Sequence, residues 1–236
     1  MLYASPAQLR LLTGAAGPVL TDLRLVIIGG SKLDSGLRVA LRRVAPGAEL
    51  REFYGAAEAS FITLADAATP EDSVGRAYPG VEIDLRGEVG EIWVRSPYLF
   101  ENYAGSDPGT ARWQDDWLTV GEIGMLRDGH LYLSGRAGRM VTVADQNVFP
   151  EAIEAFLLGL QGVVQAAVLP VPDAQRGVHL VAVLVGDAGR EAEILSAARR
   201  EFGVLKAPRA IIWRRDWPLL ASGKTDFLRL ASGLGE

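Results

Sequence analysis

Residues 23–55, LRLVIIGGSKLDSGLRVALRRVAPGAELREFYG, decide the fold. The apolar run from Leu23 to Ile28 stops at Gly29-Gly30, which predicts a buried strand closed by a turn. A helix is expected from about Ser35 to Val44. A second strand, Ala48 to Phe53, then runs into Tyr54-Gly55. Strand, helix and strand in this order predict a parallel βαβ unit, whose functional loops lie at the carboxyl ends of its strands. Gly30 and Tyr54 are therefore expected on one edge of the sheet.

Upstream of this unit, Pro6 to Leu12 reads as a short helix. Downstream, from Gly75, the texture changes to short strands punctuated by turns, at residues 81–85, 90–95, 117–120, 124–127 and 130–133, which suits an antiparallel sheet or small barrel. Beyond Gly135 a third texture begins. A helix is expected over 151–158 behind Pro150, strands over 163–169 and 178–185, and a second helix over 191–202. No internal repeat or low-complexity tract interrupts the chain. The expected division is an α/β domain over residues 1–135, made of a βαβ piece (1–69) and an antiparallel β piece (70–135), followed by a small α+β domain over 136–236.

Composition narrows the function classes. At 236 residues and 49% apolar content the chain has ample material for real cores. Its formal net charge of -5, without a basic run, argues against duplex nucleic acid and acidic membranes as partners. With no cysteine, disulfides, thiolate catalysis and Cys-ligated zinc or iron–sulfur clusters are excluded, and the two distant histidines, His130 and His179, make a histidine-rich metal site a poor reading. The start lacks the pattern of a secretion signal, and no apolar run is long enough to span a bilayer, so a soluble, cytoplasmic protein is expected.

Three stretches carry candidate chemistry. Lysine is scarce, occurring only as Lys32, Lys206 and Lys224, and Lys224 sits in the small-residue loop Pro218-Leu-Leu-Ala-Ser-Gly-Lys224-Thr-Asp. A lysine kept where arginine otherwise supplies positive charge suits a compact ammonium reaching a phosphate or an oxyanion, although most such lysines are merely solvated. A Walker-type loop is rejected, because Pro218 stands where that motif needs its first glycine. Tyr54-Gly55-Ala-Ala-Glu58 offers an aromatic face for a base and a carboxylate for Mg²⁺ beside phosphate, or else a buried turn tyrosine and a surface glutamate. Gly121-Glu122, between strands, offers a carboxylate to vicinal ribose hydroxyls, or else a solvated turn.

The order of the pieces carries a resemblance. Gly29-Gly30-Ser31, Tyr54-Gly-Ala-Ala-Glu58, Gly90-Glu-Ile-Trp-Val-Arg95, Trp117-Leu-Thr-Val-Gly-Glu122, Gly135-Arg136, Asn147-Val-Phe-Pro150 with Ile153-Glu154, and Ser222-Gly-Lys224 together resemble the back half of the adenylate-forming enzymes. That superfamily includes AMP-forming acyl-CoA synthetases, peptide-synthetase adenylation domains and luciferases. The resemblance implies the remnant of a large βαβ/β-barrel domain followed by a small mobile lid domain. It implies an acid–thiol ligase that joins a carboxylate to ATP as an acyl-adenylate and then transfers the acyl group to CoA or to a carrier protein's phosphopantetheine. By the same resemblance Gly30 and Ser31 lie against the adenine of ATP or AMP, Glu52 and Phe53 near its edge and Tyr54 on its face, with Gly55 and Ala57 in the same motif. Glu58 is then the Mg²⁺ ligand, Glu122 and Arg136 bind the ribose hydroxyls, Lys224 bridges carboxylate and phosphate, and the segment from Gly135 to Arg139 is the hinge.

The departures from the family pattern are specific. The family's phosphate loop, with its own lysine, precedes the Gly-Gly strand and is not found before Leu23. The expectation is thus a fragment, or a short product that acts with another chain or by self-association, or one that has lost ATP chemistry. Ala57 replaces the usual threonine, Val120-Gly121-Glu122 replaces Thr-Gly-Asp, and Arg139 replaces an acidic or lysine hinge residue. Ala144-Asp145 replaces a glycine pair where backbone approaches the thiol donor. The reading taken forward is an acyl-CoA synthetase-like ligase for a fatty or aryl acid with a retuned nucleotide site. Its alternatives are an adenylation domain loading a carrier protein and a non-catalytic module that binds nucleotide or protein.

Overall fold

The computed structural model describes residues 1–14, 17–33, 35–104, 110–173, 177–220 and 223–232. The chain forms two compact units, Met1–Ser134 and Gly135–Glu236.

The first unit holds the expected βαβ arrangement with one more strand outside it. Strand β1 (Leu2–Ala4) pairs in parallel with β2 (Leu25–Ile28), Leu2 opposite Val26. The sheet therefore does not end at the strand that follows Leu23; three residues are too few for an apolar period to show in sequence. Helix α1 (Pro6–Gly14) crosses between these strands and starts with a capping box: Ser5 Oγ accepts from the Gln8 amide at 3.4 Å and Gln8 Oε1 accepts from the Ser5 amide at 2.9 Å. Helix α2 (Ser35–Val44) then leads to β3 (Glu49–Ala56), parallel to β2 with Ile28 opposite Glu52. Leu9 from α1 and Leu37 and Leu41 from α2 bury themselves against Val26, Ile28 and Leu50, which joins the two helices to the sheet in one apolar cluster.

The chain reverses into β4 (Ser60–Ala65) and adds β5 (Arg76–Ala77), both antiparallel, giving the order β1-β2-β3-β4-β5. The reversal needs glycine. A Cβ on Gly55 would stand 1.9 Å from the Ser60 carbonyl oxygen, at a bulge between Tyr54 and Gly55. A second sheet follows, built from β6 (Glu82–Arg86), β7 (Glu91–Arg95), β8 (Arg112–Gln114), β9 (Trp117–Thr119), β10 (Glu122–Arg127) and β11 (His130–Arg136). Its order is β11-β10-β7-β9-β8 with β6 on β7. The two sheets are tied where the buried Ser73 hydroxyl donates to the Leu131 carbonyl at 2.8 Å and accepts from the Gly75 amide at 2.9 Å. Ile62, Ile92, Val94, Leu118 and Leu131 form their common core.

The second unit begins with a hairpin of β12 (Val141–Val143) and β13 (Gln146–Val148), then α3 (Pro150–Leu158). A long antiparallel pair, β14 (Val163–Asp173) and β15 (Gly177–Gly186), is followed by α4 (Glu191–Lys206) and by β16 (Ala210–Trp213), which lies parallel to β15. Helix α5 (Phe227–Ser232) closes the described chain. Alternation along β14 sends Val168 into one core with Ile153, Leu157 and Ile194, and sends Ala167 and Leu169 to the other face, covered by Leu230, Trp217 and Phe227. Among the described residues no helix is long and apolar enough to cross a membrane.

The β12–β13 hairpin explains the glycine preference at the Ala144-Asp145 pair. Its two-residue loop holds Ala144 at φ 47° and Asp145 at φ 62°, the left-handed conformation that such a tight hairpin demands. Aspartate tolerates it; alanine is strained by about 1–2 kcal/mol. Glycine relieves that strain at the cost of about 0.4–1 kcal/mol of extra unfolded-state entropy. Ala144→Gly is accordingly expected to stabilise the protein by about 0.5–1 kcal/mol in urea unfolding, and a lower stability would overturn this account of the turn.

Candidate active site

Because β2 and β3 run parallel in this register, their carboxyl ends bring the Gly29-Gly30-Ser31 turn beside the Glu52-Phe53-Tyr54 stretch. The approach is close. A Cβ on Gly29 would stand 2.3 Å from the Phe53 ring, so that ring lies directly on the glycine backbone. Gly30, at φ 95°, turns the chain sharply, and Ser31 is exposed. Glu52 points to the α2 side, where its carboxylate accepts from the Leu33 amide at 3.1 Å and pairs with Arg38, so it fixes the loop after Gly30. Lys32 donates to the Ser73 carbonyl at 3.3 Å. Burial lowers its pKa below the ordinary lysine value, with the charges of Asp72 and Glu52 opposing. Phe53 also joins an aromatic row, stacked on Tyr3 at 5.9 Å and edge-on to Phe61 at 4.7 Å between ring centroids.

Tyr54 lies inside β3, opposite Thr63, rather than in a turn beyond the strand. The bulge at Gly55 lets the strand run three residues further than the sequence pattern showed, and the turn falls at 57–59. The Tyr54 hydroxyl donates to the Glu122 carboxylate, 68 positions away and at the first residue of β10, which brings the two sheets' candidate nucleotide groups into contact. Behind Glu122, the Thr119 hydroxyl accepts from the Gly121 amide at 3.0 Å and holds the turn that Val120 cannot brace. Ala57 is exposed and Glu58 half-buried.

Glu58 is held from both ends. Its carbonyl accepts from the Phe100 amide at 2.9 Å, and its Oε1 accepts from the Tyr103 hydroxyl at 2.6 Å. No cluster of three or more metal-ligating side chains exists among the described residues. A single carboxylate fits Mg²⁺, which keeps waters and binds through one or two carboxylates together with substrate phosphates, and does not fit a metal held by protein alone.

In the second unit, the 135–139 segment is clasped by α3. The Arg136 amide donates to Glu151 Oε1 at 3.4 Å, and the Arg139 guanidinium makes a two-pronged pair with Glu154 at 3.0 and 2.7 Å. Glu154, only 9% exposed, also accepts from the Val168 amide at 2.7 Å, and Arg139 donates to the Val168 carbonyl at 3.2 Å. The guanidinium lies 3.9 Å from the centre of the Phe227 ring. Burial alone lowers the Arg139 pKa, but the hydrogen bond and charge of Glu154, with Glu151, leave it raised above the ordinary value. Lys224 is exposed, in a loop fixed by a bridge between Leu219 and Thr225 and by the Trp217 indole donating to the Thr225 hydroxyl at 3.0 Å. Asp226 caps α5 behind it, accepting from the Arg229 amide at 3.0 Å. Among the described residues the Lys224 ammonium has no carboxylate partner. Ser222, quoted with Lys224 in the motif, lies outside the described residues.

Sequence reasoning did not find Tyr103 or Phe227. Neither has a motif signal of its own, because each acts through a contact made across a large sequence separation or from a helix too short to show a period.

Comparison with known proteins shows the family. The model of the AMP-binding enzyme family matches residues 1–104, and that of the AMP-binding enzyme C-terminal domain matches residues 152–224. An uncharacterized acyl-CoA ligase, YhfT, of Bacillus subtilis is 34% identical over 89% of this chain and 46% of its own length. The 2-succinylbenzoate-CoA ligase of Lactococcus lactis is 31% identical over 86% and 45%. The solved structure of ATP-bound MatB from Rhodopseudomonas palustris superposes with a TM-score of 0.81 at 26% identity, over 100% of this chain and 51% of that one. The chain thus spans about half the length of the curated relatives it matches.

The Arg139 clasp makes a stability prediction. Removing the guanidinium leaves Glu154 buried without its cation, so Arg139→Ala is expected to cost about 3 kcal/mol in urea unfolding. Arg139→Met combined with Glu154→Leu should recover most of that loss, and equal losses in the single and double variants would contradict the pairing.

Proposed function

We infer the function of this chain from the fact that it belongs to the adenylate-forming superfamily of AMP-binding enzymes, and propose that it carries the nucleotide-recognition and lid parts of an AMP-forming acid–thiol ligase. The observation that carries the reading is the Tyr54–Glu122 contact, which gathers an aromatic face and a carboxylate at the carboxyl edge of a parallel sheet. In this reading Tyr54 stacks on the adenine, beside Gly30, Ser31, Phe53 and the braced Glu52. Glu122 accepts from the ribose hydroxyls, to whose oxygens Arg136 would donate. Bound Mg²⁺ would neutralise phosphate charge, and Glu58 is the residue that would hold it.

The reaction proposed is attack of a carboxylate oxygen on the α-phosphorus of ATP, with cleavage of the bond to pyrophosphate. The acyl carbon is then taken by a thiol, and AMP leaves. Attack of one anion on another needs fixed positive charge where negative charge develops, and Lys224 supplies it. The segment from Gly135 to Arg139 is the joint between the half-reactions. Fatty or aryl acids are the proposed substrates, CoA the proposed acceptor, and the cytoplasm the proposed compartment. Ala57, without a hydroxyl beside Glu58, favours a second reading in which nucleotide is bound without turnover.

The test is incubation of the chain with ATP, Mg²⁺, CoA and a panel of fatty and aryl acids, with AMP and acyl-CoA followed by mass spectrometry. Lys224→Ala is expected to lower product formation by about 100-fold or more without altering the melting temperature, as loss of a group acting on developing charge does. Equal turnover in that variant would sink the assignment of Lys224, and nucleotide binding without AMP or thioester under any acid would favour the second reading.

A further inference from the structure

We infer that Tyr103 is a positioning residue for the Glu58 carboxylate, aiming one of its oxygens at the metal that accompanies ATP; this rests on the reading of Glu58 given above. Three contacts build the arrangement. The Tyr103 hydroxyl donates to Glu58 Oε1 at 2.6 Å and itself accepts from the Ala111 amide at 3.3 Å, so the phenol proton is directed to the carboxylate. The Phe100 amide donates to the Glu58 carbonyl at 2.9 Å, tying the segment that carries Tyr103 to the turn that carries Glu58. The Phe100 ring then packs edge-on against Tyr103 at 4.8 Å and stacks on Trp113 at 6.3 Å between centroids, which holds the tyrosine ring in place.

A lone glutamate carboxylate on a turn has several rotamers, and fixing it costs up to about 2 kcal/mol of side-chain entropy. The phenol removes that freedom in advance. With Oε1 occupied, Oε2 is the oxygen presented to a cation, and its orientation is set by the ring stack rather than by the ligand. Loss of a hydrogen-bond partner of this kind typically costs about 10–100-fold in metal affinity.

The experiment compares ATP affinity of the full chain, by calorimetry, in saturating Mn²⁺ and in EDTA; the ratio of the two is the metal's contribution. Tyr103→Phe keeps the ring and its stacking and removes only the hydroxyl. It is expected to reduce the ratio about tenfold, with metal-free affinity and melting temperature unchanged, while Glu58→Gln abolishes it. Tyr103→His, which retains a ring and an N–H donor, should keep part of the ratio. A wild-type ratio in Tyr103→Phe beside a lost ratio in Glu58→Gln would show that Tyr103 only packs, and would overturn the inference alone. No metal-dependent gain in the unaltered chain, or none lost in Glu58→Gln, would remove the reading of Glu58 and the inference with it.

Discussion

The first unit depends on the contact of Gly55 with the carbonyl of Ser60. Only a residue without Cβ fits there, since a Cβ would stand 1.9 Å from that oxygen, and the close approach lets β3 turn back immediately into β4. Everything at the sheet's carboxyl edge follows from it. The bulge keeps Tyr54 in the strand, with its hydroxyl turned to Glu122, and the tight turn leaves Glu58 beside the segment that carries Phe100 and Tyr103. A wider reversal would move the carboxylate away from its phenol and uncouple the two sheets' polar groups. The glycine is therefore a geometric condition for the site, independent of any contact with a ligand.

In the second unit the corresponding constraint is a buried charge. Glu154 lies among apolar residues of α3 and β14, and a carboxylate in that position is tolerated only because the Val168 amide and the Arg139 guanidinium satisfy it. The pairing has a structural consequence beyond its energy. It fixes the side chain at residue 139 to α3, β14 and the Phe227 ring, so the start of this unit is bound to the same helix that follows the Lys224 loop. An acidic residue at 139 would repel Glu154 and Glu151 instead. The arginine side chain is thus part of the packing that joins α3, β14 and α5.

Much of the architecture was legible because its signals are local. The β2–α2–β3 unit, the antiparallel strands after Gly75 and the α3 and α4 helices each show their period within a few turns or strands, and their boundaries moved by only a few residues. The elements that were not read are β1, β5, β8, β12, β13, β16 and α5, too short to carry a period, and β4, whose SFITLA sequence does not alternate. Tyr54 was expected past the strand end because Gly55 reads as punctuation, whereas a bulge uses glycine without ending the strand. The residues quoted for the site were visible by type and order. Their partners were not, since Tyr54 meets Glu122 and Glu58 meets Tyr103 only after two sheets have been folded together.

Two lysines show how the protein separates structural from available charge. Lys32 rests against the Ser73 carbonyl with Asp72 and Glu52 nearby, and its ammonium is already partly desolvated and partly compensated. Lys224 stands next to Thr225, which bridges to Leu219 and accepts from the Trp217 indole, while its ammonium meets no carboxylate among the described residues. An exposed ammonium without a carboxylate among the described residues is a poor stabiliser of its own fold, because a surface charge without a partner contributes almost nothing. It is well suited to an anion brought from outside. In the reading proposed above that anion is a phosphate oxygen, whose high charge makes the exchange for water favourable at such an ammonium.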